Sequence, residues 1–271
     1  MRGIYGCGVL DAFLQAGITF PYNIGVSAGA ANVASFVARQ ERRNYRFYTQ
    51  YAFDERYLSL RNYVRTRSIF GMDFIYDELT DIVDPLDYKK MLSPDNEMVV
   101  VATDAVTAMP EYFTKEDIRK ERGGVFKASC AIPAMCEPIE IDGRLYFDGG
   151  VSDSIPYKKA FDDGCEKVVA LLTRPRGFVK RKESARPVYS EMLRDYPQIV
   201  RALDRRHIRY NNALQSLYSL EKQGKALVFC PGETMGVRML TRNKSSLDAL
   251  YELGLTESKA RMREIIGFMS R

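Results

Sequence analysis

The sequence predicts an α/β fold with parallel strands. Three continuously apolar runs have the length of strands buried on both faces of a sheet: Met98–Ala102, Lys167–Leu172 and Ala226–Cys230. Helical patterns alternate with these runs, at Ile155–Asp163 before the second and at about Pro197–Lys222 before the third. This alternation of strands and helices is typical of an α/β sheet with parallel strands.

The N-terminal part of the chain supplies a helix, a strand and a second helix. Ile4–Ala16 carries apolar residues on one helical face, and Gly17 follows as a stop signal. Phe20–Ile24 is a short extended run, and Ala30–Ala38 is a stretch of small and apolar residues suited to a buried helix. The strand and the second helix therefore enclose residues 25–29.

Helical patterns resume further along the chain, at Asn44–Phe53 and Phe74–Val83. Arg144–Phe147 has the character of a short strand, and Ser245–Met269 closes the sequence with one or two amphipathic helices. A basic stretch, Arg174–Arg186, is interpreted as a surface loop, with electrostatic contact to anionic lipid headgroups as the alternative.

Composition and charge indicate an ordinary globular protein. The 271 residues, 46% hydrophobic and 28% charged, are enough to bury a substantial core. The net charge of +5 is compatible with attraction to anionic membranes but does not indicate nucleic acid. Five cysteines without a C-x-x-C pair argue against disulfides and zinc and fit a reducing compartment. With no signal-peptide pattern and no bilayer-spanning apolar run, we expect a cytoplasmic protein whose membrane contact is peripheral.

Gly25–Gly29 reads Gly-Val-Ser-Ala-Gly, a G-x-S-x-G pentapeptide between the predicted strand and helix. This is the context of a nucleophile elbow, in which a sharp turn lifts a serine to the head of a helix. Gly25 and Gly29 allow the tight backbone and keep side chains away from Ser27. Free backbone N–H groups at the start of a helix stabilise an oxyanion, and the N–H of Ala28 is the natural first donor to it. The alternative is a glycine-rich turn with an incidental serine.

Ser27 needs a base to become a nucleophile. The single histidine, His207, lies in a strongly basic helical stretch, which favours a solvated or structural histidine. Asp148 ends a short predicted strand, and Gly149 and Gly150 let its backbone approach another loop closely. A partly desolvated carboxylate can accept the proton of a serine hydroxyl directly. An ordinary Asp-Gly turn is the alternative interpretation.

The motifs together resemble the patatin-like phospholipase family, in which a Ser–Asp dyad replaces a triad. Four blocks carry the resemblance: Arg2–Leu10, Gly25–Gly29, Lys127–Gly150 and Ser152–Pro156. The resemblance implies a three-layer sandwich with a mostly parallel central sheet. It also implies a patatin-like catalytic domain over residues 1–160. We expect residues 161–271 to form an α/β continuation and a helical tail within the same compact unit.

The resemblance further implies a serine acyl hydrolase with Ser27 as nucleophile and Asp148 as base. Phospholipids, lysophospholipids or other acyl esters would be cleaved through an acyl-enzyme, which a water activated by the same aspartate then hydrolyses. Neither a metal nor an organic cofactor is required. Acyl-chain length, headgroup preference and oligomeric state stay open.

The sequence departs from the family at its start. The family builds its oxyanion hole from a G-G-G-x-[RK]-G stretch after a first central strand, and this sequence opens inside that pattern with Met1, Arg2 and Gly3. Arg2 and Gly3 are therefore assigned to the oxyanion site with Ala28. Loss of one oxyanion donor lowers a rate about 100- to 1000-fold. We expect a chain without the strand and loop to be far less active than an extended one.

Two further functions stay open from the residues alone. One is an α/β-hydrolase with Ser27, Asp148 and His207 in the order Ser…Asp…His. His207→Ala would abolish the activity of such a triad and leave that of a dyad. The other is a lipid-binding or regulatory protein that keeps the fold without turnover.

Overall fold

A computed structural model describes residues 1–270 of the chain. Its α-helices are α1 (Ile4–Gln15), α2 (Ala28–Val37), α3 (Arg43–Thr49), α4 (Leu60–Thr66), α5 (Tyr88–Met91), α6 (Lys115–Glu121), α7 (Gly123–Cys130), α8 (Tyr157–Asp162), α9 (Arg186–Met192), α10 (Pro197–Lys222), α11 (Lys244–Ala260) and α12 (Met262–Met269). Short 3₁₀-helices lie at Tyr51–Phe53 and Gly149–Val151, and a π-helix at Phe74–Val83. The strands are β1 (Tyr22–Val26), β2 (Glu97–Asp104), β3 (Pro110–Phe113), β4 (Ile139–Ile141), β5 (Arg144–Asp148), β6 (Val168–Leu171) and β7 (Ala226–Phe229).

These elements confirm the predicted α/β fold. Strand β1 pairs parallel with β2, and β6 pairs parallel with β7. Strands β3 and β5 both pair antiparallel with β2, and β4 pairs antiparallel with β5. The sequence missed β3 and β4, because four and three residues are too few to carry a clear alternation of burial. It also placed the first strand two residues early, at Phe20 instead of Tyr22.

Strand register places the ends of β1 and β5 on either side of β2. Val26, the last residue of β1, pairs with Val101, and Asp148, the last residue of β5, pairs with Ala102. Ser27 follows Val26 directly, so Ser27 and Asp148 lie on opposite sides of β2, next to Val101 and Ala102. Neighbouring strands lie about 4.8 Å apart, so the two backbones are separated by roughly 10 Å. Two side chains that point toward each other can close that gap.

The core centres on β2, which is buried from Met98 to Asp104. A second close contact joins the N-terminal helix α1 to the C-terminal helix α11. A Cβ at Gly8 would overlap the carbonyl oxygen of Tyr251, so the two backbones touch where glycine provides the space. Tyr251 also donates its hydroxyl to Asp11, at 2.8 Å. The C-terminal helix is therefore packed directly onto the N-terminal part of the chain.

The β6–β7 pair forms a separate two-stranded sheet. Within residues 1–270, β1 pairs with β2 alone and β6 with β7 alone, so each strand has one unpaired edge. Both strands line the same large cavity. Among the helices of the described chain, none is both long enough and apolar enough to cross a bilayer.

Candidate active site

Ser27 stands in a strained turn between β1 and α2. Its backbone has φ 54° and ψ −128°, a region that a residue with a side chain rarely adopts without support from its surroundings. A Cβ at Gly25 would lie 2.5 Å from the Cα of Ala30, so this position requires glycine. A Cβ at Gly29 would meet open space. The chain thus turns sharply between β1 and α2, and Gly25 is the glycine that the close backbone approach demands.

A buried serine on α7 holds the elbow in place. Ser27 N donates to Ser129 Oγ at 2.8 Å, and Ser129 Oγ donates to the carbonyl oxygen of Val101 at 2.7 Å. Ser129 is fully buried. The hydroxyl thus connects the strained turn to the central strand β2. Ser129 lies within the Lys127–Gly150 block, but a single serine in a helix carries no sequence signal of its hydrogen-bond partners.

Asp148 is fixed from three sides at the end of β5. Its N–H donates to the carbonyl oxygen of Ala131 at 2.8 Å, and Thr103 Oγ1 donates to its carbonyl oxygen at 2.9 Å. Its carboxylate accepts a hydrogen bond from Gly150 N at 2.7 Å. A Cβ at Gly149 would overlap the carbonyl oxygen of Val101, which explains why glycine follows the aspartate. We call Asp148–Val151 the aspartate loop.

The environment of Asp148 favours a basic carboxylate. Burial raises its pKa above the ordinary value, since an ionised group is poorly solvated there. A hydrogen bond from the Ser27 hydroxyl opposes this shift, followed by the charge of Arg206 and the N–H of Gly150. The structure therefore brings the serine hydroxyl and the carboxylate together.

Cys130 lies beside the same serine. Its thiol contacts the Ser27 hydroxyl and accepts a hydrogen bond from the Tyr76 hydroxyl at 2.8 Å. Burial and the charge of Asp148 raise the pKa of this thiol to about 12. Cys130 is therefore a neutral thiol at physiological pH and a poor nucleophile.

The residues assigned to the oxyanion site gather around the elbow. The N–H of Ala28 lies in the first turn of α2, where it has no intrahelical acceptor. A Cβ at Gly3 would lie 3.3 Å from the Cβ of Ala28, and the Gly3 carbonyl accepts from Asn32 Nδ2 at 2.7 Å. Arg2, Gly3 and Ala28 line one cavity with Ser27.

That cavity, of about 1430 Å³, also contains Asp148. His207 is not among the residues of the described chain that line this cavity. Its buried Nδ1 has no hydrogen-bond partner within residues 1–270. A cluster of side chains able to hold a metal ion is likewise absent from residues 1–270. The arrangement is a serine and a carboxylate at the wall of one large cavity.

Residues 1–161, more than half of the chain, match the sequence model described as patatin-like phospholipase. The chain belongs to the patatin-like phospholipase family. Residues 196–270 match a second model, described as a domain of unknown function, DUF6363. The family match contains both Ser27 and Asp148, whereas the domain of unknown function starts one residue before α10.

Curated relatives of this patatin-like chain lie in bacteria. The uncharacterized protein YjjU of Escherichia coli K12 is 29% identical over 181 residues, which cover 64% of this chain and 49% of that protein. The uncharacterized NTE family proteins Rv1063c of Mycobacterium tuberculosis and Mb1092c of Mycobacterium bovis are 28% identical over 156 residues, 57% of this chain and 41% of each relative. The chain spans about half the length of the curated relatives it matches.

Three arginines of the patatin-like cavity wall lie close to one tyrosine. Arg2, Arg174 and Arg206 line it around Tyr210. Burial raises the pKa of Tyr210, and the charges of all three arginines oppose that shift. Arg2 Nε has no hydrogen-bond partner in residues 1–270, and the Arg174 guanidinium lies 4.5 Å from the ring centre of Phe178. Burial and the charge of Arg174 lower the pKa of Arg2.

Proposed function

We propose that this protein is a serine acyl hydrolase that cleaves carboxylic esters of lipids, with Ser27 as nucleophile and Asp148 as general base. The observation that carries the proposal is the strained backbone of Ser27 at the head of α2, beside a buried carboxylate. A serine in this conformation projects its hydroxyl into the cavity at the positive end of a helix. Membership of the patatin-like phospholipase family supports a lipid ester as substrate.

Ser27 Oγ attacks the ester carbonyl carbon while Asp148 takes the hydroxyl proton. The N–H of Ala28 stabilises the tetrahedral oxyanion, together with the backbone of Gly3 and the charge of Arg2. Asp148 returns the proton to the departing alcohol, which leaves an acyl group on Ser27. A water molecule then gives a proton to Asp148 and attacks the carbonyl carbon of this acyl-enzyme. Asp148 returns that proton to Ser27 Oγ as the bond to the acyl group breaks, which releases the carboxylic acid and restores the free enzyme.

The cavity favours phospholipids and lysophospholipids among lipid esters. Apolar side chains such as Phe47, Phe70 and Met72 line it and suit an acyl chain. Arg174 and Arg206 stand in the same cavity and suit a phosphate group. The substrate therefore has an apolar and an anionic end.

We further propose that the protein works in the cytoplasm in peripheral contact with anionic membranes. Leu60 and Val64 lie one turn apart on α4 and are 78% and 82% exposed. Arg61 and Arg65 on the same short helix are also exposed. Exposed apolar and basic side chains on one helix are what a bilayer surface with anionic headgroups attracts.

Hydrolysis of a short-chain p-nitrophenyl ester tests the dyad with three variants. Ser27→Ala and Asp148→Asn are expected to lose at least about 1000-fold in kcat, because each removes one half of the nucleophile–base pair. His207→Ala is expected to keep the wild-type rate. Loss of activity in His207→Ala would instead support a Ser–Asp–His triad, and no turnover by any form would support a lipid-binding protein.

A further inference from the structure

Helix α10, which belongs to the segment matching the domain of unknown function, touches the aspartate loop through two arginines. Arg206 Nε donates to the carbonyl oxygen of Gly150 at 2.6 Å. Arg209, about one turn further on, donates through Nη2 to the carbonyl oxygen of Val151 at 2.8 Å and to that of Ala202 at 2.7 Å. Two consecutive carbonyls of the loop are therefore held by guanidinium groups from one helix.

Arg206 also lies near the carboxylate of Asp148. A Cβ at Gly150 would be 2.9 Å from Asp148 Oδ1 and 3.0 Å from Arg206 Nη2, so the two groups meet on either side of Gly150. The charge of Arg206 lowers the pKa of Asp148, against the larger effect of burial. No other charged side chain of residues 1–270 acts on this carboxylate so directly.

The remaining groups that face Asp148 are neutral near physiological pH. The Ser27 hydroxyl comes from the elbow and the Gly150 N–H from the loop itself. The Cys130 thiol comes from α7 and the Cys136 thiol from the segment after it, and burial raises their pKa values to about 12 and about 11. Arg206 is therefore the charged side chain of residues 1–270 that opposes the effect of burial on this carboxylate.

We propose that Arg206 is a positioning residue of the active site, which fixes the aspartate loop through Gly150 and keeps Asp148 charged beside Ser27. Arg209 is a second anchor of the same loop. This inference rests on the proposed roles of Ser27 and Asp148. It assigns a function to the segment of unknown function: its first helix completes the active site that the patatin-like part of the chain begins.

A role of Arg206 in the stability of the fold alone can be distinguished from its proposed effect on Asp148. The Gly150 carbonyl also accepts a hydrogen bond from Ser154 Oγ at 2.6 Å, so the loop keeps a local bond when Arg206 is changed. What no neighbour replaces is the positive charge. Removal of the charge should therefore act on the protonation of Asp148 more than on the stability of the fold.

The experiment measures kcat/KM for p-nitrophenyl butyrate, a small neutral ester, between pH 5 and pH 9. Arg206→Gln keeps a hydrogen-bond donor without the charge, and Arg206→Lys keeps the charge. Arg205→Gln is the matched control, because Arg205 is exposed on the same helix. Thermal unfolding of each variant checks the fold.

We expect Arg206→Gln to lose about 10- to 100-fold at pH 6, as for loss of one charge-assisted interaction. Without the cation, Asp148 binds its proton more tightly, so the acidic limb of the profile moves to higher pH and part of the rate returns at pH 9. Arg206→Lys should keep the acidic limb of the wild type, and Arg205→Gln should match the wild type throughout.

A wild-type profile for Arg206→Gln, or a loss of equal size at every pH, would overturn the inference. If Arg206→Gln does not fold, Arg206→Lys decides, because an acidic limb displaced to higher pH despite the retained charge would also overturn it. Ser27→Ala and Asp148→Asn are measured alongside. Activity in those two variants would refute the proposed function itself, whereas their inactivity with a normal Arg206→Gln profile would refute the role of Arg206 alone.

Discussion

Ser129→Ala tests how the elbow is held. The change removes the acceptor of Ser27 N and the donor to Val101 O, two hydrogen bonds of 2.8 and 2.7 Å around a fully buried hydroxyl. A buried polar group left without its partner destabilises a protein by about 1–3 kcal/mol. With both groups affected, we expect a loss of about 2–4 kcal/mol in the free energy of unfolding.

The same change should lower activity beyond its effect on stability. The conformation of Ser27, at φ 54°, is strained by about 1–3 kcal/mol and persists because its surroundings hold it. Without the bond from Ser27 N, the turn can relax and carry the hydroxyl away from Asp148. We expect kcat to fall about 10- to 100-fold at a temperature where the variant is fully folded.

Two measurements decide the outcome for Ser129→Ala. Thermal unfolding followed by circular dichroism gives the stability, and p-nitrophenyl butyrate hydrolysis well below the unfolding transition gives kcat. Ser190→Ala is the control, since Ser190 is part of a surface hydrogen bond to the Pro187 carbonyl. A variant as stable and as active as the Ser190→Ala control would refute the role given to Ser129.

Two further predictions concern Asp148 and Arg174. Asp148→Asn should raise the unfolding temperature at pH 7 by a few degrees. The pKa of Asp148 is higher in the folded than in the unfolded chain, so the stability that this carboxyl contributes is lost as pH rises through its folded pKa, whereas a neutral amide avoids that loss. An unchanged or lower melting temperature would count against the raised pKa. Arg174→Gln should raise KM for a lysophospholipid by about 10-fold and leave p-nitrophenyl butyrate unaffected; equal effects on both esters would exclude a phosphate contact.

Local sequence patterns predicted much of the fold. The long helix was placed at about Pro197–Lys222, and α10 has those bounds, because 26 residues of helical periodicity average out single misleading positions. The first strand was placed early because Phe20 and Pro21 read as extended, yet they precede the paired residues of β1. Pairing depends on the partner strand, which local pattern does not contain.

The residues of the site likewise fall into two groups, those that lie in a local motif and those that do not. Ser27 and Asp148 lie in short motifs whose glycines report the turns around them, so the sequence alone singled them out. Ser129 and Arg206 act through hydrogen bonds to residues 102 and 56 positions away, and neither has a local signature. Their roles follow from how the chain folds back on itself, which local sequence patterns do not contain.

The central claim is that Asp148, and not an imidazole, activates Ser27. Mass spectrometry of the protein treated with a fluorophosphonate tests it most directly, because this reagent labels an activated serine hydroxyl. We predict a label on Ser27 in the wild type and in His207→Ala, and at least about 100-fold slower labelling in Asp148→Asn. Rapid labelling of Ser27 in Asp148→Asn, together with its loss in His207→Ala, would contradict the account.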